Sequence, residues 1–73
     1  MTQDILTKHI ELNTFIRVIV KAAATGGTAR RIIRAEAVKV NGGIETRNKR
    51  KLHAGDVVEY LGKSYEVREE YLR

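Results

Sequence analysis

From Leu12 onward, apolar residues return every three or four positions: Leu12, Phe15, Ile16, Ile19, Ala22 and Ala23 share one side of a helical wheel, with Asn13, Arg17 and Lys21 opposite. The pattern predicts a first helix over residues 13–24, with Asn13 as its N-cap and a basic outer edge. Just before it, Ile10 and Leu12 alternate with Glu11, which predicts a short strand within residues 5–12. Gly26-Gly27 is read as the stop of this helix, because glycine supplies left-handed backbone. A second helix is predicted over 28–35. Its apolar positions Ala29, Ile32 and Ile33 fall at roughly 0°, 300° and 40°, and Arg30, Arg34 and Arg31 at roughly 100°, 140° and 200°. One face is core and the other is guanidinium.

The second half of the chain changes period. In "AVKVNGGIE", Val38 and Val40 point one way and Lys39 the other, and Asn41-Gly42 favours a primed hairpin turn. "ETRNKRKL" reads as a polar connection that returns to the core at Leu52. "AGDVVEYLGKSYEV" predicts a turn at Gly55-Asp56, a strand over 57–61, a break at Gly62-Lys63 and a last strand over 65–68. Two helices followed by a small antiparallel sheet, with a short N-terminal strand, make an α+β fold whose helices cover one sheet face. At 73 residues the chain is one domain.

Charge sharpens this picture. The chain carries a formal +5 at pH 7, but residues 17–51 hold ten bases against two acids, a net +8. The other 38 residues hold four bases against seven acids, a net −3. Segregation of this kind points to a polyanionic partner for the middle of the chain. Arginine dominates the second helix, and guanidinium groups bind phosphate in a fork and stack on bases as ammonium groups cannot. Arg30, Arg31 and Arg34 are therefore candidates for specific contacts. The run Arg47, Lys49, Arg50 and Lys51 is a loop able to follow a backbone electrostatically. Phe15 reads as core, and Tyr60 and Tyr65 lie in strands, so few aromatics are spare for base stacking. Shape and phosphate recognition of structured nucleic acid is expected, rather than single-strand stacking.

Other chemistries find little support. There is no cysteine, which excludes disulfides, thiolate metal sites and cysteine nucleophiles, and fits a reducing cytoplasm. His9 and His53 stand 44 positions apart with no carboxylate at ligand-like spacing, and no serine sits in a nucleophile motif. No catalysis, metal, cofactor or small-molecule substrate is expected. No membrane-spanning run or export signal is read in the chain. "TGGTARR" lacks the Gly-Lys-Ser/Thr ending of a nucleotide loop. It still offers, at Thr25, Gly26 and Gly27, backbone N–H groups at a helix start beside Arg30 and Arg31, a combination that attracts a phosphate of a polymer.

Four short elements in order carry a family resemblance: Gly26-Gly27-Thr28-Ala29-Arg30, Val38 to Gly42, Glu45-Thr46-Arg47 and Gly55 to Val58. Across residues 12–67 the chain resembles the S4-type RNA-binding domain, named after the fourth protein of the small ribosomal subunit and also called the αL motif. It is most similar to small stand-alone bacterial proteins made of that domain alone. The resemblance implies a domain that binds structured RNA, often ribosomal RNA, without catalysis. It implicates Arg30, Arg31, Arg34, Lys39, Asn41 and residues 47–51 as the RNA-facing set, to which the basic edge of the first helix adds Arg17 and Lys21.

Two positions depart from the family pattern. The wider family usually has Ser-Arg where Thr25-Gly26 stand, so an arginine contact at this corner is expected to be either missing or replaced by backbone amides. It has glycine where Glu36 stands, so Glu36 is expected to need unusual backbone and to set a carboxylate beside the basic face. Two other readings were weighed: a β-grasp-type carrier, which needs a Gly-Gly carboxyl terminus where this chain reads "REEYLR", and a basic protein-interaction adaptor. The expected protein is a cytoplasmic monomer whose partner is RNA.

Overall fold

The computed structural model describes residues 8–72. The alternation at Ile10 forms only a two-residue strand, β1 (Ile10–Glu11), and Leu12 already opens a helix, α1 (Leu12–Val18). Residues 5–7 of the expected strand lie outside the described residues. A second helix, α2 (Gly26–Arg34), is followed by β2 (Val38–Val40), β3 (Gly43–Ile44), β4 (Lys51–Leu52), β5 (Val57–Tyr60), β6 (Lys63–Glu66) and a 3-10 turn (Glu69–Tyr71). All pairings are antiparallel: β1 pairs with β4, and the larger sheet runs β3-β2-β5-β6. The α+β architecture is the one the periodicity predicts.

Three boundaries differ from expectation. Helix α1 ends at Val18, not at residue 24. The β-branched run Val18-Ile19-Val20 has weak helix preference, and Lys21 adopts a left-handed φ of 60° that reverses the chain. Gly26 and Gly27 do not stop α1. They form the first turn of α2, neither has positive φ, and Thr25 is the N-cap, its Oγ1 accepting from the Thr28 N–H at 3.2 Å. Strand β6 begins at Lys63 because the tight turn is Leu61-Gly62, with φ of 52° and 77°.

The wheel of α2 and the strand alternation are both realised. Ala29 and Ile33 are fully buried with Leu12, Phe15, Ile16, Val38, Leu52 and Val58 in one apolar core, while Arg30, Arg31 and Arg34 are exposed. Val38 and Val40 face that core and Lys39 faces away from it. Asn41-Gly42 makes the primed turn, with φ of 53° and 87°. Phe15 packs edge-on against Tyr71 at 6.1 Å between ring centroids, joining the 3-10 turn to α1.

Glu36 occupies the position just past the C-cap of α2, where its N–H donates to the Ile33 carbonyl at 3.1 Å and its φ is 65°. Glycine is the residue suited to this left-handed cap. An L side chain there costs about 1–2 kcal/mol, partly offset by the greater unfolded-state entropy of glycine. Glu36→Gly is therefore expected to raise stability by about 0.5–1 kcal/mol in urea denaturation. A variant less stable than the parent would show that the cap carries no strain.

Candidate nucleic-acid interface

Helix α1 starts without a side-chain cap, since Glu11 precedes it and makes no capping bond. Its first N–H groups are instead satisfied from 35 or more residues away: Leu12 N–H donates to the Arg50 carbonyl at 2.8 Å and Asn13 N–H to the Asn48 carbonyl at 3.0 Å. The Asn13 side chain extends the connection. Its Nδ2 donates to Asn48 Oδ1 at 2.8 Å and to the Gly26 carbonyl at 3.1 Å, and its Oδ1 accepts from Arg17 Nε at 3.4 Å. Expected as an N-cap, Asn13 is instead the first-turn residue that ties α1, the start of α2 and the basic loop to one point.

The loop itself is built on a carboxylate. Glu45 is buried, 7% exposed, in a connection of mostly exposed polar residues. Its Oε2 accepts from the Arg47 backbone N–H and from Arg47 Nε, each at 2.9 Å; its Oε1 accepts from Arg47 Nη2 at 3.1 Å and Arg50 Nη1 at 2.7 Å. The Arg47 hydrogen bonds, with those of Arg50, outweigh the burial that raises its pKa and hold the carboxyl at about 2. Arg47 is raised in turn by the same pairing. Neither the side chain of Asn13 nor that of Glu45 was among the candidate site residues, because each acts through contacts that no local pattern records. The only sequence signal at Glu45 is an isolated acid two and five positions before arginines.

Where the loop meets α2, Arg30 and Arg34 line one wall of a groove and Thr46, Asn48 and Lys49 the other. A second concavity on the same loop is lined by Arg47, Lys49, Arg50 and Lys51. The structure thus brings together residues of α2 and of the 47–51 run that lie more than a dozen positions apart. Arg17 stands next to this assembly through its bond to Asn13. Gly26 and Gly27 are exposed in the first turn of α2, and Arg31 is exposed on its outer side.

Other expected members lie elsewhere. Lys39 pairs in register with Glu59 and Ile44 on the sheet face turned away from the core, and lines a separate depression with Glu36 and Glu59. Asn41 is engaged internally: its Nδ2 donates to Asp56 Oδ1 at 3.1 Å and its Oδ1 accepts from the Val57 N–H at 2.9 Å. Lys21 is exposed in the connection between the helices. His9 and His53 are brought to 6.4 Å between ring centroids by the β1–β4 pairing. Among the described residues, no group of three or more His, Cys, Asp or Glu side chains is placed to hold a metal. No described helix is long and apolar enough to cross a membrane.

The lowered Glu45 pKa makes stability depend on acid. Folding holds the carboxylate ionised, so its contribution is fully present above the ordinary carboxyl value of 4.5 and is lost as pH falls towards about 2. Between about pH 5 and 3 the parent protein is expected to lose about 1–2 kcal/mol more stability than Glu45→Gln, a figure discounted because Arg47 is solvent-exposed. Urea titrations at several pH values check this, and equal slopes for both proteins would contradict it.

Comparison with known families places nearly the whole chain. A family model described as the S4 domain matches residues 4–68, while no curated protein matches the chain significantly. Domains of this family are generally RNA-binding and typically non-catalytic. With the matched span covering nearly all of the 73 residues, the chain belongs to the S4 domain family.

Proposed function

We propose that this protein is a non-catalytic module that binds structured RNA, with ribosomal RNA as its target class, and that it works as a cytoplasmic monomer. The observation that carries the reading is the groove shared by Arg30 and Arg34 on α2 and by Thr46, Asn48 and Lys49 on the loop. Its walls offer guanidinium forks on one side and an ammonium with hydroxyl and amide groups on the other. Such a lining suits a phosphodiester backbone that passes between them. Arg31, Lys51 and the corner amides of Gly26 and Gly27 extend the positive surface, and Arg17 borders it.

The aromatic inventory supports shape over stacking. Phe15 is buried, and Tyr60, Tyr65 and Tyr71 are half-buried against the core, so no described aromatic ring is fully exposed for an unpaired base. A structured RNA presents phosphates and 2′-hydroxyls at fixed spacing, which a rigid groove reads without opening the bases.

Binding to a ribosomal RNA hairpin, measured by fluorescence anisotropy across a salt series, tests the reading. With about 5 to 7 phosphates contacted, the slope of log affinity against log salt is expected between about −3.5 and −6. Replacing Arg30, Arg31 and Arg34 together with Ala is expected to weaken binding about a hundredfold or more, at about 1 kcal/mol or more for each charged contact, while thermal unfolding changes little. A salt-insensitive affinity, or equal affinity for heparin and the hairpin, would contradict recognition of structured RNA.

A further inference from the structure

Residues 17–51 contain two acids, Glu36 and Glu45, and the fold treats them in opposite ways. Glu36 is exposed and makes no ion pair among the described residues, whereas Glu45 is buried under Arg47 and Arg50. We propose that Glu45 is a positioning residue for RNA binding: by clamping Arg47 and Arg50 it holds residues 45–50 in the shape that builds one wall of the groove. This inference rests on the RNA-binding reading of that groove.

The geometry of the clamp is specific to the wall. The two clamped arginines bracket Asn48 and Lys49, two of the three loop residues that line the groove; Thr46 lies between Glu45 and Arg47. The carbonyls of Asn48 and Arg50 are also the ones that receive the first N–H groups of α1. Residues 45–50 have no regular secondary structure of their own, so fixing them opposes the backbone entropy of all six residues. Four donors converging on one carboxylate supply a local anchor against that loss. The clamp engages Nε and Nη2 of Arg47 yet leaves its side chain exposed.

Simple charge counting predicts the reverse role. A carboxylate within a basic surface repels phosphate, so its neutralisation should tighten RNA binding. The two accounts therefore differ in sign, and Glu36 is the internal control. Glu36→Gln removes a charge that clamps nothing and lies in the separate depression with Lys39 and Glu59, and is expected to leave binding of the ribosomal RNA hairpin unchanged or up to about twofold tighter. Glu45→Gln makes the same change in net charge, yet is expected to weaken binding about tenfold. Glu45→Asp keeps the charge on a shorter side chain that does not span both arginines, and is expected to weaken binding about threefold.

Amide hydrogen exchange on the same variants reads out position directly. In Glu45→Asp the Leu12 and Asn13 N–H groups should lose protection while those in the β2–β5 pairing keep theirs. Should Glu45→Gln fail to fold, Glu45→Asp and its exchange pattern decide the matter. If the parent protein binds RNA and both Glu45 variants bind as tightly or more tightly, the positioning role is overturned and the RNA-binding reading stands. If the parent itself does not bind the hairpin, the RNA-binding reading falls, and the inference with it.

Discussion

Two backbone hydrogen bonds, from the N–H groups of Leu12 and Asn13 to the carbonyls of Arg50 and Asn48, hold the helices and the basic loop of this small domain together. A seven-residue helix is far too short to persist alone. Its start must be satisfied by something, and no side chain does so. The basic loop therefore caps the helix, and the helix gives the loop a fixed place. The Asn13 amide carries the same connection to the first turn of α2 through the Gly26 carbonyl. Three segments that would each be mobile in isolation thereby become one rigid surface.

This constraint places Arg30 and Arg34 of α2 and Lys49 of the loop along one groove. Arg30 and Arg34 would otherwise be spaced charges on an exposed helix face, worth little individually in water. Set along a groove with Lys49, Thr46 and Asn48, they share one concave surface. The opposite sheet face, with Lys39 beside Glu59 and Glu36, has mixed sign and no such focus. Clustering of like charge in one groove is the arrangement that would orient an approaching polyanion before contact.

What could be read from sequence were the features that depend on neighbours a few positions away. The primed Asn41-Gly42 turn, the outward Lys39, the buried Ala29 and Ile33 and the strained cap at Glu36 all follow from local spacing or from the match to the family pattern. What escaped lies in backbone conformations and side-chain contacts that spacing does not specify. The six-residue shortening of α1 follows from β-branched residues at 18–20 and a left-handed Lys21, neither of which disturbs an apolar wheel. The assignment of Gly26-Gly27 to a helix stop failed because glycine also fits a first helical turn, here with no positive φ at either residue. The Asn13 hub and the Glu45 clamp pass unnoticed in sequence, since one reaches 35 positions along the chain and the other looks like one more solvated acid. Lys39 shows the limit from the other side: its outward direction was legible, but not that this direction is away from the arginines.

The central claim is that the basic surface is one site, assembled from the start of α2 and the capped loop. The most direct measurement is a backbone amide chemical-shift titration of the labelled protein with a ribosomal RNA hairpin. The account predicts shifts that saturate together at Arg30, Arg34, Thr46, Asn48 and Lys49, with the outer sheet residues Lys39, Glu59 and Ser64 unmoved. Shifts centred on that outer face, or loop and helix residues that titrate with different affinities, would contradict it.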